Sequence, residues 1–238
     1  MPRHDDTAHR QQIIDACLEM NREGINQGTS GNISARCDGG SLITPSGVPY
    51  HAMRTDQIVF VDDDGGYYGE WLPSTEWRMH HDIYQARPDA GAIVHAHSTY
   101  CTALSCLREG IPPFHYMIGV GGGTDIRCAD YATFGTAALS HNMLRALEGR
   151  TACLLANHGM ICFAPSLATA LWLAVEVETL ARQYWIARQA GEPVLLDDAE
   201  MTRVLARFKT YGKQAGELGH GEAEAVLPPV YRGQAMAS

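Results

Sequence analysis

The amino-acid sequence predicts an α/β fold in a single domain. Its 238 residues are enough for one sizeable core, because single domains of mixed folds commonly reach roughly 200 to 250 residues. Short apolar runs bounded by Gly, Ser, Pro and Asp alternate with longer segments whose apolar residues recur at helical spacing. The chain has no run of about 18 uninterrupted apolar residues, which excludes a membrane-spanning helix.

Helices and short strands are predicted to alternate from the start of the chain. Apolar residues at helical spacing predict an opening helix over residues 7–23. Segments rich in turn residues then bound short strands within residues 28–34, 42–47 and 58–61. A second helix is predicted over residues 73–84, with Ser74 as its N-cap and Glu76 in its first turn, where the helix dipole favours an acid.

The second half continues this alternation. A strand is predicted over residues 91–97, and Ser98 can cap a short helix that runs through Leu107. The glycines of residues 119–123 indicate a turn, because neither the phosphate-loop pattern nor the dinucleotide-binding pattern is matched. An apolar run at residues 152–156 stands between predicted helices over residues 136–148, 166–189 and 198–212. We expect one domain over residues 1–215 and a flexible tail over residues 216–238, which are rich in Gly, Glu and Pro.

Charge and cysteine usage exclude several classes of protein. Lys and Arg total 18 against 27 Asp and Glu, a net charge of -9, so a nucleic-acid partner is not expected. The seven cysteines form no C-x-x-C pair, which argues against a disulfide framework and a four-cysteine zinc site. The polar N-terminal residues lack the apolar core of a secretory signal, so we expect a cytoplasmic protein without a membrane partner.

Three histidines form the strongest candidate site. His95 and His97 stand at i and i+2 on an apolar strand, so their side chains emerge on the same face of a sheet. His158 lies in an Asn-His-Gly turn after another apolar run, which could bring a third imidazole to the same place. Three imidazoles suit a borderline-soft divalent ion such as Zn²⁺. Other histidines, His80 among them, are interpreted as structural, and position alone would make Glu76 a surface acid.

Eight motifs, in order along the chain, resemble those of the class II aldolase/adducin family. They are residues 28–34, 44–47, 73–78, 95–97, 111–118, 131–136, 157–159 and 208–212. The resemblance covers nearly the whole chain up to about residue 212. The resemblance implies a central, mainly antiparallel sheet flanked by helices. It implies Zn²⁺, or another divalent ion such as Mn²⁺ or Co²⁺, bound by His95, His97 and His158. It also implies that Glu76 ligates the empty site and acts as the base.

The resemblance assigns the remaining site residues as well. A substrate phosphate would be held by polar side chains and turn residues, namely Asn32, Thr44, Gly47, Ser74 and Thr75. Tyr116 from a neighbouring subunit would exchange a proton with the aldehyde oxygen, while Phe134 and Tyr211 would shape the aldehyde pocket. The family is typically a four-fold tetramer, so the site is expected at a subunit interface of a homotetramer.

The implied reaction belongs to carbohydrate metabolism. A ketose 1-phosphate would be cleaved reversibly to dihydroxyacetone phosphate and a short aldehyde, and a Lewis-acidic ion can stabilise the enediolate that carbon–carbon cleavage leaves. L-Fuculose 1-phosphate, which yields L-lactaldehyde, is the leading substrate, and 5-deoxyribulose 1-phosphate or 5-methylthioribulose 1-phosphate is a close alternative. Thr75 and Asn157 depart from the family pattern around the aldehyde-binding region, so the resemblance does not fix the identity of the aldehyde.

Four other functions remain as alternatives. Pentulose-phosphate epimerases and methylthioribulose-phosphate dehydratases share the implied fold, although the epimerases are expected to carry an aspartate in place of Glu76. A metal-dependent hydrolase could use three histidines, but its H-x-H-x-D-H pattern fails at Thr99 and Tyr100. A non-catalytic adducin-like module would keep the fold without the chemistry, and the intact candidate ligands weigh against it.

Overall fold

The structure is a computed structural model that describes residues 6–219. The α-helices are α1 (Thr7–Arg22), α2 (Trp77–Ala86), α3 (Thr99–Cys106), α4 (Ala137–Ala146), α5 (Leu167–Ala190) and α6 (Asp198–Phe208). The strands are β1 (Asn32–Cys37), β2 (Gly40–Ile43), β3 (Val59–Asp62), β4 (Tyr67–Tyr68), β5 (Ala92–Ala96), β6 (Cys128–Ala129), β7 (Ala152–Leu155) and β8 (Gly159–Ala164). Short 3-10 turns lie at Tyr50–Ala52, Thr55–Gln57, Tyr116–Gly121 and Ala215–Glu217.

Within the described residues the strands form one eight-stranded sheet in the order β4-β3-β2-β1-β5-β8-β7-β6. Neighbouring strands run antiparallel except for β6 and β7, which are parallel. At the centre of the sheet, Asn32 of β1 lies opposite His95 of β5. The predicted α/β fold, with a mainly antiparallel sheet flanked by helices, is confirmed.

Helices cover both faces of this sheet. Alternate apolar residues of β1, β5, β7 and β8 pack with α1, α3, α5 and α6 in the larger core. The residues between them, such as Ile93 and Phe163, pack with α2 and α4 on the opposite face. Because successive strand side chains point to opposite faces, Val94 joins the larger core whereas His95 faces α2.

The first two strands are shifted from their predicted positions: β1 starts later in the chain than predicted, and β2 ends earlier. β1 begins at Asn32 and β2 ends at Ile43, while residues 29–31 and 44–48 form loops that line a cavity. Gly31 permits a close approach there, because a Cβ atom would lie 2.6 Å from the backbone oxygen of His95. β4, β6 and β8 have no counterpart among the predicted strands. β8 is buried on both faces, and a continuous apolar run carries no period-2 signal.

The predicted start of the second helix is wrong. α2 begins at Trp77, and Glu76 occupies the N-cap position with φ -103° and ψ 13°, outside helical geometry. The Ser74 hydroxyl accepts a hydrogen bond from the backbone N–H of Glu76, 3.3 Å away, and does not cap the helix. Glu76 is therefore held in a turn and not in a helical first turn, which leaves its carboxylate free to point into the molecule.

α3 begins directly after Ser98, as predicted, but another residue caps it. The Ser98 hydroxyl makes no cap hydrogen bond. The Glu178 carboxylate of α5 accepts from the backbone N–H groups of Tyr100 and Cys101, at 2.8 and 2.9 Å. An acid at a helix N-terminus is favoured by the helix dipole, so α5, the longest of the described helices, anchors the segment that follows the histidine pair.

The structure describes only part of the predicted C-terminal region. The last predicted helix ends at Phe208, four residues early, and continues as turns. The proposed domain boundary at residue 215 coincides with the start of the Ala215–Glu217 turn. Residues 220–238 of the predicted flexible tail lie outside the described residues, so that tail stays a prediction. No helix within residues 6–219 is long and apolar enough to cross a membrane.

Candidate active site

The three candidate histidines meet at one point on the α2 side of the sheet. Their ring centroids are 4.8 to 5.0 Å apart, and each pair of rings is close to perpendicular, at 74 to 77°. Nε2 of His95 lies 3.1 Å from Nε2 of His97. His95 and His97 share a face of β5 and its extension, as strand geometry requires. His158 comes from the turn between β7 and β8, where Asn157 adopts a left-handed backbone with φ 55°.

The backbone around the histidines allows their rings to approach. Gly159 follows His158, and a Cβ atom at that position would lie 2.5 Å from the Ala96 oxygen and 3.1 Å from the His97 ring. Nδ1 of His95 donates to the Met160 carbonyl at 2.8 Å, since a carbonyl oxygen can only accept. That hydrogen bond leaves Nε2 of His95 directed at the point where the rings meet.

Glu76 completes this cluster. Its Oε2 lies 3.1 Å from Nε2 of His95, and its Oε1 lies 3.0 Å from Nε2 of His158. The residue is only 5% exposed, so it is not the surface acid that its position alone suggests. Oε1 is buried without a well-aligned hydrogen bond. Such an unsatisfied buried oxygen requires an explanation, and a cation between the carboxylate and the imidazoles would supply one.

The charges of this cluster are coupled. Burial would by itself raise the pKa of the Glu76 carboxyl, but the charge of His95 and contacts with both imidazoles outweigh burial, so its pKa lies well below the ordinary value. Burial opposes protonation of His95 too, yet the Glu76 charge raises the pKa of His95 above its ordinary value. Burial, followed by repulsion from His95 and His158, lowers the pKa of His97 to about 4.

These side chains could hold a divalent metal ion. One ligand atom from each of Glu76, His95, His97 and His158 can be chosen so that all lie within 4.8 Å of one another. Imidazole nitrogens and a carboxylate oxygen are the donors that zinc takes in four-coordinate sites. A cation in their midst would take the place of the proton that His95 shares with Glu76.

Beside this cluster lies a cavity of about 420 Å³. The predicted phosphate residues all line it, together with Glu76, His97, His158 and Phe134: they are Asn32, Thr44, Gly47, Ser74 and Thr75. Gly47 has φ 70°, a conformation that side chains disfavour. The described residues that line the cavity include no lysine or arginine. An anion there would have to be bound by hydroxyls, amides and backbone N–H groups, as turns and helix N-termini can do.

The structure does not bring two of the predicted residues to the cavity. Tyr116 and Tyr211 are 51% and 58% exposed and lie outside the cavity lining. They flank Phe208, whose ring centroid is 6.4 Å from that of Tyr116 and 5.2 Å from that of Tyr211. Phe134 does line the cavity, although it is 63% exposed. The role of Tyr116 in a neighbouring subunit's site and the role of Tyr211 in the aldehyde pocket therefore stay predictions.

A hydrogen-bonded chain beneath the cluster was not predicted from the sequence. Asn32 Nδ2 donates to Oε2 of Glu76 at 3.0 Å, and Asn32 Oδ1 lies 2.6 Å from Nε2 of His80. Nδ1 of His80 lies 2.7 Å from the Ser34 hydroxyl, which is 2.8 Å from the Tyr84 hydroxyl. The helical i, i+4 spacing of Glu76 and His80 was the available signal that both belong on one face.

Comparison with known proteins identifies the family. The model of the "Class II Aldolase and Adducin N-terminal domain" family matches residues 11–185. The chain belongs to this family. The resemblance found in the eight motifs is thereby confirmed, and the protein is a class II aldolase.

Named aldolases are similar over most of the chain. A 5-methylthioribulose-1-phosphate/5-deoxyribulose-1-phosphate aldolase of Rhodospirillum rubrum is 53% identical, covering 87% of this chain and 94% of that protein. An L-fuculose phosphate aldolase of Escherichia coli K12 is 51% identical, covering 87% and 97%. The solved structure of an L-fuculose 1-phosphate aldolase superposes with a TM-score of 0.83 at 43% identity, covering 87% and 97%. The class II aldolase fold thus extends well beyond the matched family segment.

Proposed function

We propose that this class II aldolase reversibly cleaves a ketose 1-phosphate to dihydroxyacetone phosphate and a short aldehyde. The observation that carries the proposal is the position of the Glu76 carboxylate, which is buried among three imidazoles and lines a cavity whose described lining holds no lysine or arginine. The named relatives act on ketose 1-phosphates of this kind. L-Fuculose 1-phosphate, with L-lactaldehyde as product, is the first candidate substrate.

His95, His97 and His158 would hold Zn²⁺, and Glu76 would be the fourth ligand of the site without substrate. When bound, the ion supplies a Lewis acid that withdraws electrons from the ketone next to the bond that breaks. Hard–soft preference and donor type favour zinc, with manganese or cobalt as further possibilities. The structure supports this assignment through the spacing of the four donor groups.

Glu76 would exchange the proton at carbon. Cleavage between C3 and C4 of the ketose leaves its electron pair on C3, and a proton must then reach C3 to give dihydroxyacetone phosphate. A carboxylate in contact with the site can carry that proton. Glu76 lies in the turn before α2 and lines the cavity, so its carboxylate is placed where a substrate would bind.

Asn32, Thr44, Gly47, Ser74 and Thr75 would bind the phosphate through neutral donors. Ser74 and Thr44 are almost fully buried, at 7% and 1% exposure, and their segments are linked by the hydrogen bond from Ser74 N to Thr44 O at 3.0 Å. Hydroxyls held on such a linked backbone are oriented before a ligand arrives, which lowers the entropic cost of binding.

Tyr116 would exchange a proton with the C4 oxygen, which becomes the aldehyde oxygen, in a neighbouring subunit's site. Its exposure and its absence from the cavity lining of its own chain support a role across an interface. A homotetramer with cyclic symmetry would place each Tyr116 near an adjacent site. Light scattering on the purified protein tests the assembly directly.

A second group of substrates is supported by the aldehyde side of the cavity. Tyr131, Ala132 and Phe134 contribute apolar surface there, which suits the methyl or methylthio end of 5-deoxyribulose 1-phosphate or 5-methylthioribulose 1-phosphate. Relatives named for these substrates are as similar as those named for L-fuculose phosphate. The aldolase reaction is the same for both groups.

The test is the release of dihydroxyacetone phosphate. Zinc-loaded protein would be incubated with each of the three ketose 1-phosphates, and the product would be followed by its NADH-dependent reduction. We expect release from at least one of them, with the ratio of kcat/KM values identifying the substrate. Release from none of the three would overturn the proposal, and isomerisation or dehydration without cleavage would assign the epimerase or dehydratase reaction instead.

A further inference from the structure

The hydrogen-bonded chain that ends on Glu76 is buried along its whole length. Ser34 and His80 are 0% and 1% exposed, and Asn32 and Tyr84 are 3% and 5% exposed. The chain crosses from β1 to α2 and back, so it connects the sheet to the helix that follows Glu76. Buried polar groups are costly unless they are hydrogen-bonded, and here each of them has a partner.

Only one arrangement of donors satisfies all four contacts. The Glu76 carboxylate can only accept, so the Asn32 amide nitrogen faces it and the Asn32 oxygen faces His80. His80 must then carry its proton on Nε2. Burial lowers the pKa of His80 to about 3, so the ring is neutral and its Nδ1 accepts from the Ser34 hydroxyl. The Tyr84 hydroxyl donates in turn to Ser34.

We propose that His80 is a positioning residue, whose Nε2–H holds the Asn32 amide in the orientation that donates to Glu76. This inference rests on the proposed role of Glu76. A reversed amide would turn its oxygen towards the carboxylate, and two acceptors would then face each other in a buried place. Groups that orient metal ligands in this way typically change metal affinity or activity by about 10- to 100-fold when they are lost.

Asn32 also faces the cavity, where it would help to bind phosphate. One N–H of its amide donates to Glu76 and the second remains for a ligand. The orientation set by His80 therefore serves the carboxylate and the phosphate region together, and its loss is expected to affect zinc binding, kcat and KM in the same variant.

A matched pair of amide substitutions separates positioning from packing. In His80→Gln the amide nitrogen lies as many bonds from Cα as Nε2 of histidine, so it can still donate to Asn32. In His80→Asn the amide reaches only as far as Nδ1, so it can serve Ser34 but not Asn32. Both variants lose the imidazole ring, and a purely structural role would affect the two in the same direction and to a similar extent.

Zinc affinity, measured by competition with a chromophoric chelator, is the main readout because it requires no turnover. We expect His80→Asn to bind zinc about 10- to 100-fold more weakly than the original protein and His80→Gln to stay within a few-fold of it. His81→Leu, on the neighbouring position of α2, is the control and should leave zinc affinity and kcat/KM unchanged. Equal zinc affinities in the Asn and Gln variants would overturn the proposal.

A measurement on the unsubstituted protein covers the case in which a variant fails to fold. Nitrogen-15 chemical shifts of labelled histidine report which ring nitrogen carries the proton, and we expect the Nε2–H form for His80. The Nδ1–H form would contradict the inference. If the protein cleaved no ketose 1-phosphate but the two variants still differed in zinc affinity, the proposed function would fail while the positioning role of His80 stood.

Discussion

Two halves of the same cavity differ in how firmly the chain holds them. On one side, Glu76 and Asn32 are buried and hydrogen-bonded to each other, before the start of α2 and at the start of β1. On the other side, Tyr131 and Phe134 are 53% and 63% exposed and belong to a segment without regular secondary structure. The carboxylate proposed to move the proton at carbon is thus buried beside the central strands, while the side chains proposed for the aldehyde lie on an exposed segment.

The residues proposed for the reaction and the residues proposed for substrate specificity thus lie in different parts of the cavity. The described chain supplies the complete set of candidate metal ligands, but it leaves Tyr116 outside the cavity lining. Exposed loop residues can change without disturbing a core, and binding specificity in many folds resides in such residues. Relatives with similar identity to this chain accordingly carry the names of different ketose 1-phosphates.

The largest effect is expected from Glu76→Gln, which disrupts the buried half. The amide cannot carry the proton to carbon, so kcat should fall by about 10²- to 10⁴-fold. Thermal unfolding should show that the protein remains folded. Glu148→Gln, at an exposed acid outside the cavity lining, is the control. An unchanged kcat in Glu76→Gln would exclude this residue as the base.

Tyr116→Phe tests whether the exposed half is completed by another subunit. Loss of the phenol should lower kcat by about 10²-fold, with zinc content unchanged. Mixing this variant with Glu76→Gln after dissociation and reassembly should restore activity, because about a quarter of the sites would receive both intact residues in a cyclic assembly. No recovery in mixed assemblies whose formation is verified would place Tyr116 in its own chain's site or outside the mechanism.

Thr75→Ala should weaken phosphate binding without disturbing the buried carboxylate. Thr75 is exposed at the cavity edge, and a lost hydrogen bond to a charged ligand should raise KM by roughly 10-fold. Inhibition by inorganic phosphate should weaken in parallel, and kcat should change little. Thr75→Ser should restore KM, whereas a Ser variant as poor as Ala would indicate that the methyl group matters and not the hydroxyl.

The buried half should also make stability dependent on pH. Burial lowers the pKa of His80 from 6.5 to about 3, so between these values the unfolded chain binds a proton that the folded chain does not. The free energy of unfolding should therefore fall as pH is lowered below 6.5, with His80 contributing up to about 1.4 kcal/mol per pH unit. Urea unfolding of zinc-free protein would measure this, and His80→Gln should show a smaller slope. An equal slope in both proteins would show that His80 does not contribute.

The smallest effect is expected from Asn157→His, which alters only the margin of the cavity. The side chain oxygen of Asn157 accepts from Nε of Arg108 at 3.1 Å, and an imidazole there could reach the extra hydroxyl of the L-lactaldehyde portion. The ratio of kcat/KM values should move towards L-fuculose 1-phosphate by about 10-fold or less. Gln189→His, at the exposed end of α5 outside the cavity lining, should leave the ratio unchanged. A shift of the ratio towards 5-deoxyribulose 1-phosphate would contradict the proposed contact between residue 157 and the hydroxyl of the L-lactaldehyde portion.

Strand periodicity located much of this site in the sequence. The spacing of His95 and His97 predicts a shared face, and the structure places their rings 5.0 Å apart. Glu76 was different, because nothing local distinguishes it from a dipole-favoured surface acid. Its burial depends on contacts with His95 and His158, which are distant in sequence, so only the family resemblance pointed to it.

Long-range contacts also account for what the sequence did not reveal. Ser98 looks like a side-chain cap for α3, yet Glu178, 78 residues from Tyr100, takes that place. His80 looks structural, and only the folded arrangement of β1 beside α2 shows that it contacts Asn32. Local propensity predicted the ends of most helices to within two residues. It could not predict contacts between residues that are distant in sequence, because the folded chain alone brings them together.

The register of the central strands carries a consequence for how the protein acquires its metal. The four candidate ligands come from α2's leading turn, β5 and its extension, and the β7–β8 turn, and they meet only when β5 has paired with β8. An ion can therefore be held by all four groups only after these segments, which are distant in sequence, have come together. A divalent ion that binds the folded protein and not the unfolded chain would raise the melting temperature as the free ion concentration rises.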